Sequence, residues 1–138
     1  MKNWIALLLA MVLVLSLCAT AFAAKPTAKL YSSKYNGFKV KRGNTAVWIY
    51  KLNSGSYTKK SGVWRSRFIE NQFDKYNNPI CEFGDYVFTG KLNFKVRLYI
   101  PSSATKGKYY NRFETYYRKN SSAKWKINTK KKSTWYIK

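Results

Sequence analysis

Between Lys91 and Pro101 the chain alternates without a break. Leu92, Phe94, Val96, Leu98 and Ile100 fall on one side, and Lys91, Asn93, Lys95, Arg97 and Tyr99 on the other. A period of two sends successive side chains to opposite faces of a strand, so this run predicts one face in a core and a cationic face in water. Pro101 ends it, because proline has no N–H to give to a ladder. Shorter runs repeat the pattern. Gly37–Arg42 sets Phe38 and Val40 against Lys39 and Lys41, and Asp85–Thr89 turns through Gly90 into the long run. Thr45–Leu52 is apolar on both faces and predicts a central strand.

Two stretches fit more than one period. Val63–Ile69 begins as a strand, but Phe68, Gln72, Phe73 and Tyr76 also share a helical face, which allows a short helix before Asn77-Asn78-Pro79. Lys108–Arg118 suits both periods, and its tyrosines, phenylalanine and threonine favour strand. At the end, Lys124–Ile127 and Thr134–Ile137 predict a hairpin folded around Thr129–Lys132. Asn53–Ser56 and Lys60–Gly62 supply turn residues between runs. The expected fold is all-β, a small β-sandwich or β-barrel of about seven to nine short antiparallel strands.

The first residues follow another rule. Met1-Lys2-Asn3 is a short positive start, Trp4–Leu17 is nearly all apolar, and Ala21-Phe22-Ala23 puts small residues at the −3 and −1 positions of a cleavage site. This is the arrangement of a cleavable secretory signal helix over residues 1–23, leaving one basic, aromatic-rich β domain over 24–138. The apolar stretch is short for a membrane span, which takes about 20 residues. The expected location is therefore outside the cell, free or held at the cell surface by charge. Cleavage removes Cys18 and leaves Cys81 alone between apolar neighbours. A buried thiol in a monomer is expected there, with a Cys81-linked dimer as the alternative.

Charge then narrows the function. The chain has 27 Lys+Arg against 5 Asp+Glu and no histidine. Removing residues 1–23 costs one lysine and no acid, so the mature domain carries a net charge of +21. Histidine-based catalysis and histidine metal ligation are excluded, and one thiol makes no disulfide scaffold. No calcium-loop spacing and no glycine-rich phosphate loop is present, so no metal or cofactor is expected. Glu82 and Asp85 are close in sequence, but Gly84-Asp85 between runs predicts a turn, where such residues are ordinary. The expectation is a non-enzyme. A histidine-free toxin ribonuclease using Lys, Arg and Tyr is kept as a minor alternative.

A charge far above the ~2–8 that solubility requires points to a polyanionic partner. The candidate binding residues are Lys95, Arg97, Arg118, Lys119, Lys124, Lys126, Lys130, Lys131 and Lys132. Trp125, Trp135 and Tyr136 are candidate interfacial anchors, since Trp and Tyr favour the lipid headgroup zone. Core packing competes with that role, because Trp125 shares a face with Ile127 and Trp135 with Ile137. The expected partners are anionic cell-wall polymers or an anionic membrane surface. Nucleic acid is less favoured, because export argues against genomic targets. In size, export and charge the chain resembles small secreted cationic β-proteins, bacteriocin-like polypeptides among them. That resemblance implies an antimicrobial, envelope-binding role and carries no residues across. A non-killing extracellular matrix or polyanion-binding protein (polysaccharide or nucleic acid) is the alternative.

Overall fold

The computed structural model describes residues 23–31 and 38–138, so the expected signal helix lies outside the described residues. Among the described residues the chain forms eight strands and no helix. They are β1 (Thr27–Leu30), β2 (Lys39–Val40), β3 (Thr45–Asn53), β4 (Ser66–Asp74), β5 (Pro79–Phe88), β6 (Lys91–Tyr99), β7 (Gly107–Tyr117) and β8 (Lys126–Ile137). A three-stranded sheet runs in the order β1-β3-β6 and a five-stranded sheet in the order β2-β8-β7-β4-β5. All neighbours are antiparallel except the two-residue β2, which lies parallel to the end of β8.

Aromatic side chains join the sheets. Ala46, Trp48, Tyr50 and Leu52 of β3 are buried at period two, and they meet Phe68 of β4, Phe113 of β7 and Trp135 of β8 in one core. Trp48 and Trp135 pack edge-to-face at 5.1 Å, while Tyr50 lies 5.2 Å from Phe68 and 5.0 Å from Phe113. Such pairs add about 0.5–1.5 kcal/mol each beyond their burial. β3 is central in its sheet, and β6 alternates as its pattern predicts, with Val96 buried and Lys95 and Arg97 exposed.

Two expectations are corrected. The helix allowed through Phe68 and Tyr76 is absent: β4 runs straight through to Asp74, burying Ser66, Phe68, Glu70 and Gln72 at period two. Polar residues on the inward face hid that period. The following turn is held by the Asp74 carboxylate, which accepts from the N–H groups of Tyr76 (2.8 Å) and Asn78 (2.9 Å), while Asn77 takes φ +63°. The hairpin around Thr129–Lys132 is also absent. β8 is one strand of twelve residues, paired along β7, and the reversal comes earlier, between Tyr117 and Lys126. There Asn120 Oδ1 accepts from Ser122 N and Ala123 N, an Asx-type turn that a lysine run cannot supply.

The inward polar groups form one connected set. Tyr50 OH donates to Glu70 Oε2 at 2.6 Å, and Gln72 Nε2 donates to Glu70 Oε1 at 2.8 Å. Asn111 Nδ2 donates to Tyr50 OH at 2.5 Å, Ser133 Oγ donates to Asn111 Oδ1, and Trp135 Nε1 donates to Gln72 Oε1 at 3.0 Å. The set ties β3, β4, β7 and β8 in a single register. A one-residue slip would strand these groups without partners, at about 1–3 kcal/mol apiece.

Candidate polyanion-binding surface

The outer face of the three-stranded sheet follows from its register. Lys29 lies opposite Lys51, Lys51 opposite Asn93, Ile49 opposite Lys95, Val47 opposite Arg97 and Asn53 opposite Lys91. The neighbours Ala28, Ala46, Trp48, Tyr50, Leu52 and Val96 are buried, so all five strand cations of this sheet point outward. The three strands contain no Asp or Glu. Lys51 Nζ sits 4.7 Å over the Tyr31 ring, and Tyr99 is exposed at the far end of the face. The result is an acid-free cationic surface backed by a rigid aromatic core.

The outer face of the five-stranded sheet is different in chemistry. Its cations stand on rings: Arg112 lies 4.3 Å over Phe73, Lys132 3.7 Å and Lys108 5.2 Å over Tyr110, and Arg118 4.2 Å over Trp125. Arg67 reaches both Tyr116 and Trp125 at 5.8 Å. Each such contact contributes about 0.5–1 kcal/mol at an exposed site and fixes where the charge is held. Arg112 stands opposite Lys132, and with Lys130 and Lys131 they border a shallow depression.

All five carboxylates lie in β4, β5 and β7. Glu70 is enclosed in the core, and burial outweighs its hydrogen bonds from Tyr50 and Gln72, pushing its pKa up to about 7. Asp74 is spent on its turn, where hydrogen bonds from Asn78 hold it below the usual carboxylate range. Glu114 accepts from the Tyr116 hydroxyl, whose pKa rises to about 12 through burial and then that carboxylate. Asp85 alone pairs with a cation, accepting from Arg67 Nη2 at 2.7 Å and from its Nε, among residues with described side chains. Among the residues with described side chains, the positive charge is therefore almost wholly without an ion-pair partner.

The candidate residues fall in three places. Lys95 and Arg97 belong to the three-stranded sheet's outer face, whereas Lys130 and Lys132 belong to the opposite side, with Lys131 exposed between them. Arg118, Lys119, Lys124 and Lys126 surround the β7–β8 turn, where Arg118 Nε also donates to Trp64 O at 2.8 Å. Trp135 is corrected as an interfacial anchor. It is 0% exposed, closed in by Trp48, Phe38 and Tyr109, because it faces inward opposite Tyr109. Trp125 is half-buried under two guanidinium groups, and Tyr136 is half-buried opposite Lys108. Lys29, Lys51, Lys91 and Arg112 are not among the sequence candidates. Lys29 and Lys51 come together only once β1 is known to pair with β3.

Cys81 is half-buried on β5 opposite Gln72, and burial, followed by the Glu70 charge, pushes its thiol pKa up. Among the described residues no three His, Cys, Asp or Glu side chains gather as a metal site.

No family model matches the chain, and no curated protein matches it in sequence. Among solved structures it is similar to superoxide reductase (neelaredoxin) from Ignicoccus hospitalis, with 10% identity over 83% of this chain and 81% of that chain and a TM-score of 0.43. A Niemann-Pick type C2 protein from Japanese carpenter ant gives 10% identity over 83% of this chain and 90% of that one, with a TM-score of 0.46. The CARDB domain of a Pyrococcus furiosus protein in complex with di-metal ions gives 6% identity, 81% and 83% coverage, and 0.45. These likenesses carry no function to this chain.

Proposed function

We propose that the mature chain is an exported protein that binds an anionic polymer of the bacterial envelope, a phosphodiester-bearing wall polymer in the first instance. The observation that carries this is the outer face of the three-stranded sheet, where Lys29, Lys51, Lys91, Lys95 and Arg97 stand together with no carboxylate among them. Ordinary surfaces intersperse the two signs, and like charges directly across a strand pair are destabilising. Such a face is best accounted for by a partner that brings the missing negative charge.

A wall polymer is favoured over lipid insertion by the state of the tryptophans. Trp135 is enclosed and Trp125 is covered by Arg67 and Arg118, so neither offers an apolar wedge. Stacking of nucleobases is disfavoured for a related reason: Phe73, Tyr110, Tyr116 and Trp125 already carry cations over their faces. Binding at a competitor's envelope would make the protein antimicrobial in the bacteriocin-like manner, and binding at the producer's own would make it a matrix component. Toxicity to neighbouring cells separates the two.

The test uses mature protein from Ala24 onward with a purified glycerol-phosphate polymer, a neutral glycan, and anionic vesicles loaded with dye. Salt-sensitive binding to the phosphodiester polymer, with none to the neutral glycan and no dye release, is the expected outcome. Dye release from anionic vesicles without polymer binding would overturn the proposal in favour of membrane attack.

A further inference from the structure

The cations sit on both outer faces of the sandwich, and the sheets between them are packed about 10 Å apart. On one side are Lys91, Lys95 and Arg97, and on the other Arg112, Lys130 and Lys132. We propose that the domain is bivalent, with each outer face holding a separate phosphodiester chain, so that one molecule cross-links two strands of the polymer. This rests on the polymer-binding proposal above and adds the geometry of engagement.

Three observations carry it. The first face has no acid in its strands, and on the second, among the residues with described side chains, Asp85 alone pairs with a cation, while Glu70 is buried in the core between the faces and Asp74 is tied to its own turn. On the second face Glu114 stands opposite Lys130 and its carboxylate accepts from the Tyr116 hydroxyl, and among the residues with described side chains no carboxylate pairs with Arg112 or Lys132. Arg112 over Phe73 at 4.3 Å and Lys132 over Tyr110 at 3.7 Å are also held in place before a ligand arrives, which reduces the ordering cost of binding. The two faces point in opposite directions, so a chain lying flat on one cannot lie flat on the other.

Cross-linking has a signature that simple binding lacks. A bivalent protein mixed with a long polymer gives light scattering that rises to a maximum and falls again in excess protein, as every chain becomes singly decorated. The experiment follows scattering of a long glycerol-phosphate polymer titrated with mature protein under reductant, so that a Cys81-linked dimer contributes nothing. A short fluorescent fragment of the same polymer reports binding separately by anisotropy. K91Q/K95Q/R97Q takes three of the five cations from one face and R112Q/K130Q/K132Q takes three from the other, with thermal unfolding as the check on folding.

The expected result is that each variant still binds the fragment while losing the scattering maximum by about tenfold or more. A scattering maximum retained by either variant, or fragment binding by the native protein with no maximum, would overturn bivalency. Absence of fragment binding by the native protein would instead bring down the polymer-binding proposal, and bivalency with it.

Discussion

Lys29 on β1 and Lys51 on β3 stand directly opposite each other, two positive side chains paired across an antiparallel ladder on the outer face of the three-stranded sheet. A directly opposed like-charge pair works against the sheet by about 0.2–1 kcal/mol. K29Q is therefore expected to raise the unfolding midpoint in low salt while weakening polymer binding, and the gain should shrink as salt screens the native pair. Denaturant unfolding at low and high salt checks this. A stability loss in K29Q at low salt would contradict it.

Glu70 should make stability fall with rising pH. Its folded pKa of about 7 lies above the ordinary 4.5, so between those values the folded state holds a proton that the unfolded chain has released. The stabilisation is complete below pH 4.5, declines as pH rises to about 7, and is flat beyond, a change on the order of 3 kcal/mol. Unfolding free energies across that window should slope downward in the native protein and level out in E70Q. An equal slope in both proteins would place the titrating group elsewhere.

Gly55 sits at φ +59°, and a Cβ there would lie 2.5 Å from the carbonyl oxygen of Ala24. Around it Ser56 N donates to Ala24 O at 2.8 Å and Ala24 N donates to Ser56 Oγ at 3.1 Å. G55A is expected to lose about 2 kcal/mol from the left-handed backbone and the displaced segment together. The loss should appear in denaturant midpoints. A midpoint unchanged in G55A would mean that residues 24–26 contribute nothing to the fold.

Trp135 is expected to behave as a core residue. W135A should cost about 3–5 kcal/mol, and W135F should leave vesicle and polymer affinity unchanged, since the indole is fully enclosed. Tryptophan emission from W135F compared with the native protein, with and without ligand, reads the difference. A ligand-induced emission shift that disappears in W135F would show this indole meeting the partner after all.

The strands with apolar inward faces were legible in the sequence, and those with polar inward faces were not. Leu92 to Ile100 announces β6 because every inward residue is apolar, whereas β4 buries Glu70 and Gln72 and so loses its hydropathy period. The pattern over β8 predicts a hairpin for a similar reason. Thr129 and Ser133 are its inward residues on either side of Lys130–Lys132, and a stretch so polar resembles a turn. The cationic surface was legible in amount but not in layout. Lys95 and Arg97 can be assigned a common face from their spacing alone, but that Lys29 and Lys51 join them is a property of strand order, set by long-range pairing that no local pattern carries.

The acid-free face predicts a definite number of ionic contacts, and the salt dependence of binding counts them. Affinity of the mature protein for the glycerol-phosphate polymer should fall linearly on a log–log plot against salt. In an R112Q/K130Q/K132Q background, where the second face contributes nothing, removing three contacts with K91Q/K95Q/R97Q should flatten the slope by about 2, at about 0.7 per phosphate on a single flexible chain. A slope unchanged in this variant, with affinity equally unchanged, would contradict the assignment of the three-stranded sheet as the binding face.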